Sequence, residues 1–222
     1  MTTKLRAFAS AAAATFLLAA GSAGAAVFVT TTPGPDVGPA AGESFQINFD
    51  GPSLPAGVTI AGNGGVTTTG TAPLGDATPF LVTPLDGDSG SVEVRFADFL
   101  GNRDVSHFSL YWGSIDSFNT LQLFDRSANQ IVTLSGATLL GDLATGSPTD
   151  PSANRRVFFT LTGDSQNLGS LRFTSTSPSF EVDSLGFAPI PEPGLWALML
   201  VGVGGLGAAM RRQRGTLARR LA

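Results

Sequence analysis

Short runs of the chain carry an apolar residue at every second position. The clearest are 45–49, 92–96 and 108–112, where apolar side chains alternate with polar ones. A period of two places the apolar side chains on one face of a β-strand. The same reasoning predicts further strands over 121–124, 131–134, 157–161, 168–173 and 180–185. Between these runs, no stretch keeps a helical period for more than two turns.

The predicted strands are separated by turn residues, in a chain with 28 glycines and 14 prolines. Eight or more short strands of this kind indicate an all-β fold, and we expect a two-sheet β-sandwich of the jelly-roll type. Residues 27–43 are predicted to form an edge strand followed by a loop, and 62–73 a long loop or hairpin. The chain has no cysteine, and roughly 160 residues can bury one adequate core without disulfides.

The N-terminus has the composition of a secretory signal. Lys4 and Arg6 precede an apolar stretch over 7–20, and Ala23-Gly24-Ala25 then gives a small-x-small cleavage pattern. The apolar stretch is short for a membrane span. We therefore predict a signal peptide over 1–25 that is removed after Ala25 or Ala26, so that the protein is exported.

The C-terminus carries a second ordered set of features. Pro191, Glu192 and Pro193 form a segment that no helix can cross, and residues 195–210 contain no charge. As a helix those residues span about 24 Å, slightly less than the hydrocarbon core of a bilayer. Trp196 suits the outer interface, and Arg211, Arg212 and Arg214 suit the cytoplasmic one. The pattern predicts a transmembrane helix over 195–210 with most of the chain outside.

This order of parts resembles the PEP-CTERM sorting signal of bacterial surface proteins, in its Pro-Glu-Pro-x-x-Trp-Ala variant with Trp196 and Ala197. The resemblance covers 189–214. It implies that an exosortase-like enzyme processes the tail, and that the product reaches the cell envelope, surface or extracellular matrix in association with exopolysaccharide. The alternative is a tail anchor that stays attached. The predicted domains are the signal peptide 1–25, an ectodomain 26–188, the sorting signal 189–214 and a basic tail 215–222.

The charge of the exported region limits its partners. Between residues 27 and 188 there are sixteen acidic residues, six arginines and no lysine, a net charge of about −10. Nucleic acids and anionic lipids bind mainly through basic residues. The sequence therefore argues against both as partners.

Candidate catalytic residues are few. His107 is the one histidine, and neither a Gly-x-Ser-x-Gly nor a His-Glu-x-x-His motif is present. A carbohydrate-active enzyme remains the alternative, since two carboxylates suffice for glycoside hydrolysis and Glu93 and Glu181 are the candidates. Both are instead expected to face solvent from their strands, which favours a non-catalytic protein. No cofactor is expected, apart from a calcium ion that Asp86 and Asp88 would hold in a glycine-rich turn; an acidic turn without metal fits equally.

The ligand candidates lie in one segment. The stretch 108–119, together with 180–183, resembles ectodomains found upstream of this sorting signal that are similar to galactose-binding-like or carbohydrate-binding sandwiches. Alternation places Trp112 in the core and Tyr111 on the opposite face. Sugar sites combine an aromatic ring with directional polar groups, so Tyr111, Asp116 and Asn119 are the predicted ligand residues. Three consecutive threonines at 67–69 raise ice binding as a lesser alternative, but no repeat continues them.

Overall fold

A computed structural model describes residues 15–19, 24–191, 194 and 198–205. The chain divides into two compact units, Met1–Pro189 and Ile190–Ala222. In the first unit, two antiparallel sheets face each other, which confirms the predicted all-β, two-sheet fold.

The large sheet has eight strands. They are β1 (Thr15–Ala19), β2 (Ala26–Pro33), β3 (Phe45–Ile47), β5 (Gly65–Thr67), β6 (Phe80–Thr83), β8 (Val105–Gly113), β11 (Arg155–Thr162) and β13 (Phe180–Pro189). Their order is β1-β2-β11-β8-β13-β6-β5, and β3 pairs with the far part of β13.

The small sheet has five strands in the order β10-β9-β12-β7-β4. They are β4 (Thr59–Gly62), β7 (Gly90–Arg95), β9 (Thr120–Asp125), β10 (Gln130–Ser135) and β12 (Leu168–Ser175). A short helix, α1 (Gly136–Leu140), follows β10 and is capped by the Ser135 side chain, which accepts a hydrogen bond from the Thr138 N–H. Two 3₁₀ turns, Gly141–Leu143 and Gly163–Gln166, complete the described elements of this unit.

The core lies between the sheets and is built by the alternation seen in the sequence. Trp112 of β8 is fully buried and stacks on Phe180 of β13 at 4.4 Å between ring centroids. Phe173 of β12 meets Phe180 edge to face at 5.3 Å, joining the small sheet to the large one. The predicted core position of Trp112 is confirmed. Burial of these rings together with the aliphatic side chains of the core stabilises the sandwich.

Strand β13 departs from simple alternation at one point. Its register against β8 shifts between Asp183 and Gly186, and Ser184 has φ of 51°. This β-bulge lets Val182 and Leu185 both reach the core, while Asp183 and Ser184 stay out of it. A bulge of this kind turns consecutive polar residues to the same side of the sheet.

The structure refines two sequence-based predictions. The segment 62–73, predicted to be a loop or a hairpin, contains the strand Gly65–Thr67, whose partner β6 lies beyond the segment. The lead-in 27–43 contains the predicted strand, β2, whose residues 26–30 pair with β1, and β1 lies within the predicted signal peptide. Strand β1 falls within the stretch predicted to be the signal peptide, whose residues 1–14 and 20–23 lie outside the described part of the chain.

In the second unit, residues 198–205 are helical. Of the sorting motif only Pro191 lies in the described residues; Glu192, Pro193, Trp196 and Ala197 lie outside them, as do Arg211, Arg212 and Arg214. Within the described residues, no helix has both the length and the apolar character needed to span a bilayer. The predicted helix over 195–210 extends beyond those residues at both ends and stays a prediction.

The aromatic contact between the sheets gives a stability prediction. Truncation of the fully buried Phe173 to alanine should lower the free energy of unfolding by about 3–5 kcal/mol, through lost burial and the cavity left behind. The control is Thr174→Ala, the next residue on β12, whose side chain faces outward and whose loss should change stability by less than about 0.5 kcal/mol. Denaturant unfolding of both variants measures the difference, and equal losses would contradict this account of the core.

Candidate functional site

The outer face of the small sheet carries rows of polar side chains. Because alternate residues of each strand face the core, the residues between them face away from it. The strand register then aligns those outward residues in rows across the sheet. One row is Thr133, Gln122, Arg172 and Glu93, on β10, β9, β12 and β7. A second, parallel row consists of hydroxyl side chains: Ser135, Thr120, Thr174 and Ser91.

Glu93 is the centre of this array. One carboxylate oxygen accepts hydrogen bonds from the Ser170 hydroxyl at 2.8 Å and the Arg95 Nε at 3.0 Å. The other accepts from Nη2 of Arg172 at 3.0 Å. Burial raises the pKa of the Glu93 carboxyl, but the hydrogen bonds from Arg172, Ser170 and Arg95 outweigh it and hold that pKa below its usual value. Glu93 is therefore a fixed, ionised acceptor at neutral pH.

The neighbouring side chains are also held in place. The guanidinium carbon of Arg172 lies 4.5 Å from the centre of the Phe124 ring, a cation–π contact that helps to hold the arginine in place. On the adjacent strand, Nε2 of Gln122 donates to Oε1 of Gln130 at 2.7 Å. Both Arg172 and Gln122 remain partly exposed, so their remaining donors and acceptors can reach a ligand.

A cleft of about 250 Å³ continues from this face towards the end of the sheet. Its polar lining consists of Thr59, Glu93, Arg95, Asp98, Asp125, Arg126 and Ser170. Three acids and two arginines give the lining a nearly balanced charge. Arg126 is held by Asp104, whose Oδ1 accepts from its Nη2 at 2.8 Å.

The turn between β9 and β10, which forms one wall of the cleft, is fixed by hydrogen bonds to an aspartate side chain. Oδ1 of Asp125 accepts hydrogen bonds from the backbone N–H groups of Ser127 at 2.9 Å and Asn129 at 2.7 Å. Such capping of backbone donors by an aspartate fixes the turn between β9 and β10. The cleft and the polar rows thus form one preformed surface of paired donors and acceptors, without an exposed aromatic platform.

The structure separates the ligand residues predicted from the sequence. Tyr111 is fully buried on the outer face of the large sheet, opposite the core as predicted, but beneath two loops. Its hydroxyl lies 2.7 Å from the Gly34 carbonyl oxygen and 3.1 Å from that of Leu74, so it joins both loops to the sheet. Burial and the nearby carboxylates of Asp36 and Asp76 raise the pKa of Tyr111. Tyr111 is thus placed where a ring-stacking ligand does not reach it.

Asp116 and Asn119 lie together in the turn between β8 and β9, and Asn119 directly precedes Thr120 of the second row. Asn119 is buried; its Oδ1 accepts from the Asp116 N–H at 2.9 Å, and its Nδ2 donates to the Ser175 hydroxyl at 2.9 Å. Burial raises the pKa of the Asp116 carboxyl. These contacts close one end of the sandwich, and a ligand role for the two residues stays a prediction.

The proposed acid pair for glycoside hydrolysis does not form. Glu93 lies on the outer face of the small sheet, while Glu181 faces away from the core on the large sheet, next to the core residue Val182. Packed sheets lie about 10 Å apart, so two carboxylates on opposite outer faces exceed the roughly 5–9.5 Å that glycosidases use. The expectation that Glu181 faces solvent is also wrong, since it is only 2 % exposed.

The remaining candidate residues from the sequence are His107, Asp86 and Asp88. His107 is half-buried on β8, with Nδ1 3.2 Å from the Ser106 hydroxyl. Asp86 and Asp88 lie in the exposed turn between β6 and β7. In the part of the chain that the structure describes, no three histidine, cysteine or acidic side chains are grouped to hold a metal ion. A calcium ion at Asp86 and Asp88 stays a prediction.

The outer face of the large sheet is closed by a buried charge network. Arg156 donates from Nε and Nη2 to the Ser109 hydroxyl at 3.1 and 2.7 Å, and that hydroxyl donates to Glu43 at 2.6 Å. Arg156 also lies 3.7 Å from Asp36 and 3.6 Å from Glu43. These contacts hold the loop between β2 and β3 over the sheet.

Sequence reasoning did not find the array on the small sheet. The residues of the first row occupy outward positions of predicted strands, so alternation predicted the side that they face. Those of the second row lie one residue beyond the predicted bounds. The sequence pattern did not predict which strands are neighbours, because the order β10-β9-β12-β7 brings together residues that are far apart in the chain.

Several solved structures share features of this fold. A family 29 carbohydrate-binding module variant is 15 % identical, with 67 % of this chain and 96 % of that chain covered and a TM-score of 0.39. A xylan-binding CBM22-1 domain from Paenibacillus barcinonensis is 12 % identical, covering 66 % and 94 %, with a TM-score of 0.37. A bacteriophage CBA120 tailspike enzymatic domain is 12 % identical, covering 61 % of this chain and 20 % of that one, with a TM-score of 0.33.

At these low identities and scores, the likenesses assign neither a ligand nor a reaction to this chain. No protein-family model matches the chain, and no curated protein matches it.

The buried acids on the large sheet predict how stability depends on pH. Burial raises the pKa of Asp183 to about 8, with Asp76 and Asp36 adding to the effect, and burial raises that of Glu181 to about 7. In the unfolded chain both carboxyls titrate near pH 4. Between these values the folded state binds more protons, so stability should fall as pH rises from about 4 to about 8.

Thermal unfolding midpoints across this pH range test the prediction. Asp183→Asn should flatten part of the slope, because asparagine does not ionise. Asp88→Asn, in the exposed turn, is the matched control and should keep the profile of the unsubstituted chain. A stability that rises through this range in the unsubstituted chain, or an unaltered slope in Asp183→Asn, would refute the assignment.

Proposed function

We propose that this chain is an exported cell-envelope protein whose β-sandwich binds a neutral polysaccharide, without catalysis, on the outer face of the small sheet. The observation that carries the proposal is the network around Glu93. It brings together a carboxylate, two guanidinium groups and a hydroxyl with their charges paired; the Arg95 and Arg172 side chains are 61 % and 39 % exposed, whereas that of Glu93 is 11 % exposed.

The chemistry of this network suits sugar hydroxyl groups. A hydroxyl group both donates and accepts hydrogen bonds. A surface with carboxylate acceptors beside guanidinium donors can therefore accept one hydrogen bond from a sugar hydroxyl and donate another to it. Hydrogen bonds to charged groups are about twice as strong as those between neutral groups. Rows of polar groups that cross four strands suit an extended chain of sugars better than a single small molecule.

The charge balance favours a neutral glycan. Glu93 is shared by Arg95 and Arg172, and Asp104 pairs with Arg126, so few positive charges are free to attract an anionic polymer. The ectodomain around them is strongly acidic. An anionic polysaccharide would therefore meet net repulsion on approach.

In this proposal the sandwich is a jelly roll of the galactose-binding-like kind. From β6 to β9 each strand lies in the other sheet from the one before it, and β11 to β13 alternate in the same way. Crossing between sheets at successive strands is typical of jelly rolls.

Delivery to the envelope is the other half of the proposal. The signal peptide 1–25 directs export, and the PEP-CTERM-like segment 189–214 is processed by an exosortase-like enzyme in the membrane. What supports this is the order of features in the sequence: a basic start, an apolar stretch and small residues at one end, and Pro-Glu-Pro, an uncharged span and arginines at the other.

Arginine substitutions test the binding surface. Arg172→Ala should weaken binding of a soluble neutral glycan, such as xylan or glucomannan, by about tenfold or more, since it removes at least one charge-assisted hydrogen bond. The fold should survive, because Glu93 keeps its bonds to Arg95 and Ser170. Isothermal titration calorimetry on the purified full chain measures the affinity, with alginate as the anionic probe.

Arg103→Ala is the matched control. Arg103 lies over Phe45, 4.4 Å from the ring centre, and does not contribute to the array. Its loss should leave glycan affinity unchanged. Equal affinities for Arg172→Ala and the unsubstituted chain, or tighter binding of alginate than of the neutral glycans, would disprove this assignment of the surface.

Processing of the tail is tested separately. Mass spectrometry of the mature envelope protein should show an N-terminus near Ala26 and loss of the residues beyond Pro193. As a control, Glu192→Ala should leave the N-terminus unchanged and retain the tail. A mature protein that still ends in the arginine-rich segment would show that the C-terminus is a permanent anchor.

A further inference from the structure

We propose that removal of the signal peptide opens an edge of the large sheet, and that two copies of the mature chain then pair through this edge. The inference rests on the export proposed above. It starts from strand β1, which covers the edge of β2 by pairing residues 15–19 with residues 26–30. Cleavage after Ala25 or Ala26 removes β1 and leaves this side of β2 without a partner strand.

Strand β2 itself stays in place when β1 leaves. It pairs with β11 over its full length, from Ala26 opposite Thr162 to Pro33 opposite Arg155. Val27 and Val29 are fully buried in the core. The edge that is opened is therefore rigid and already in strand conformation, which lowers the entropic cost of adding another strand.

The sequence of this edge lacks the usual protection against pairing. Residues 26–32 read Ala-Val-Phe-Val-Thr-Thr-Thr, with no charge and no proline, and the first proline follows at position 33. Natural sheets usually protect a free edge with lysines, prolines or a bulge. Valine, phenylalanine and threonine are instead residues that favour strand pairing. An edge of this composition needs a covering strand.

A second copy of the chain fits this role by symmetry. The pairing with β1 is antiparallel and centred on Phe28, which lies opposite Leu17. If residues 26–30 of a second copy take the place of residues 15–19 in the same register, Phe28 lies opposite its own equivalent. A two-fold axis through that pair relates the copies, as in most homodimers. The uncharged strand brings no like charges together.

Phe28 has the exposure that this arrangement requires. It points away from the core and is 37 % exposed. Opposed aromatic residues on paired strands stabilise the pairing. The resulting continuous sheet would run through both sandwiches and leave the polar face of each small sheet free for glycan.

Single cysteines test this geometry in a chain that has no natural cysteine. Residues directly opposite on paired strands have Cβ atoms about 4.5–5.5 Å apart, close to disulfide range. Phe28→Cys should therefore give a disulfide-linked dimer when the exported, processed full chain is oxidised. The readout is a non-reducing gel, with mass spectrometry of the N-terminus on the same sample.

Thr160→Cys is the matched control. Thr160 lies opposite Phe28 on β11 and is also exposed, but it is one strand further from the edge. In the proposed dimer its two copies are three strand spacings apart, about 14 Å, too far for a disulfide. Thr160→Cys should give at least about tenfold less dimer than Phe28→Cys.

A second pair of variants covers the case in which Phe28→Cys disturbs the edge. Phe28→Lys places two like charges opposite each other and should weaken dimerisation by about tenfold or more, whereas Thr160→Lys should not. Analytical ultracentrifugation of the processed protein in detergent measures this.

The possible failures are distinguishable. A processed N-terminus with a monomeric protein, or equal cross-linking of the two cysteine variants, overturns the dimer and leaves export standing. An envelope protein that retains Met1 overturns export and the inference together. Disulfide dimers of the unprocessed precursor, in which β1 still covers the edge, would overturn the edge as the interface.

Discussion

The packing of the two sheets against each other is the constraint on which the rest of the molecule depends. The long central strands turn alternate side chains into the layer that Trp112, Phe173 and Phe180 occupy. The other set is then forced outward, whatever its chemistry. On the small sheet this aligns Glu93 and Arg172 with their hydroxyl and amide neighbours. The candidate binding surface therefore consists of the side chains on the opposite face of the strands that form the core. The packing of those strands also makes the surface rigid.

The two outer faces differ because the loops cover only one of them. Over the large sheet, Arg156 and Tyr111 hold two loops against β8 and β11, and buried acids lie beneath. Burying several carboxylates beside a single guanidinium is costly, which explains the raised pKa values there. On the small sheet the side chains of Arg95 and Arg172 remain exposed beside Glu93, so their donors are available to a ligand. The closed face serves stability and loop placement, and the open one suits recognition.

Much of the fold could be predicted from the pattern of apolar residues, and much of the site could not. Alternation predicted the inward side of β7, β8 and β9 and the buried position of Trp112. It failed at β13, where a bulge at Ser184 changes the side that later residues face. It also placed Tyr111 on the correct face without showing that loops cover it. Strand order depends on contacts between distant segments, and no local pattern reports them.

The central claim is that the polar face of the small sheet, and not the large sheet, contacts glycan. Side-chain NMR signals of the arginine Nε–H groups test it directly, because the chain offers internal controls on both sheets. On titration with neutral glycan, the signals of Arg95 and Arg172 should shift, while that of the buried Arg156 should stay unchanged. A shift at Arg156 with none at Arg95 and Arg172 would contradict the account.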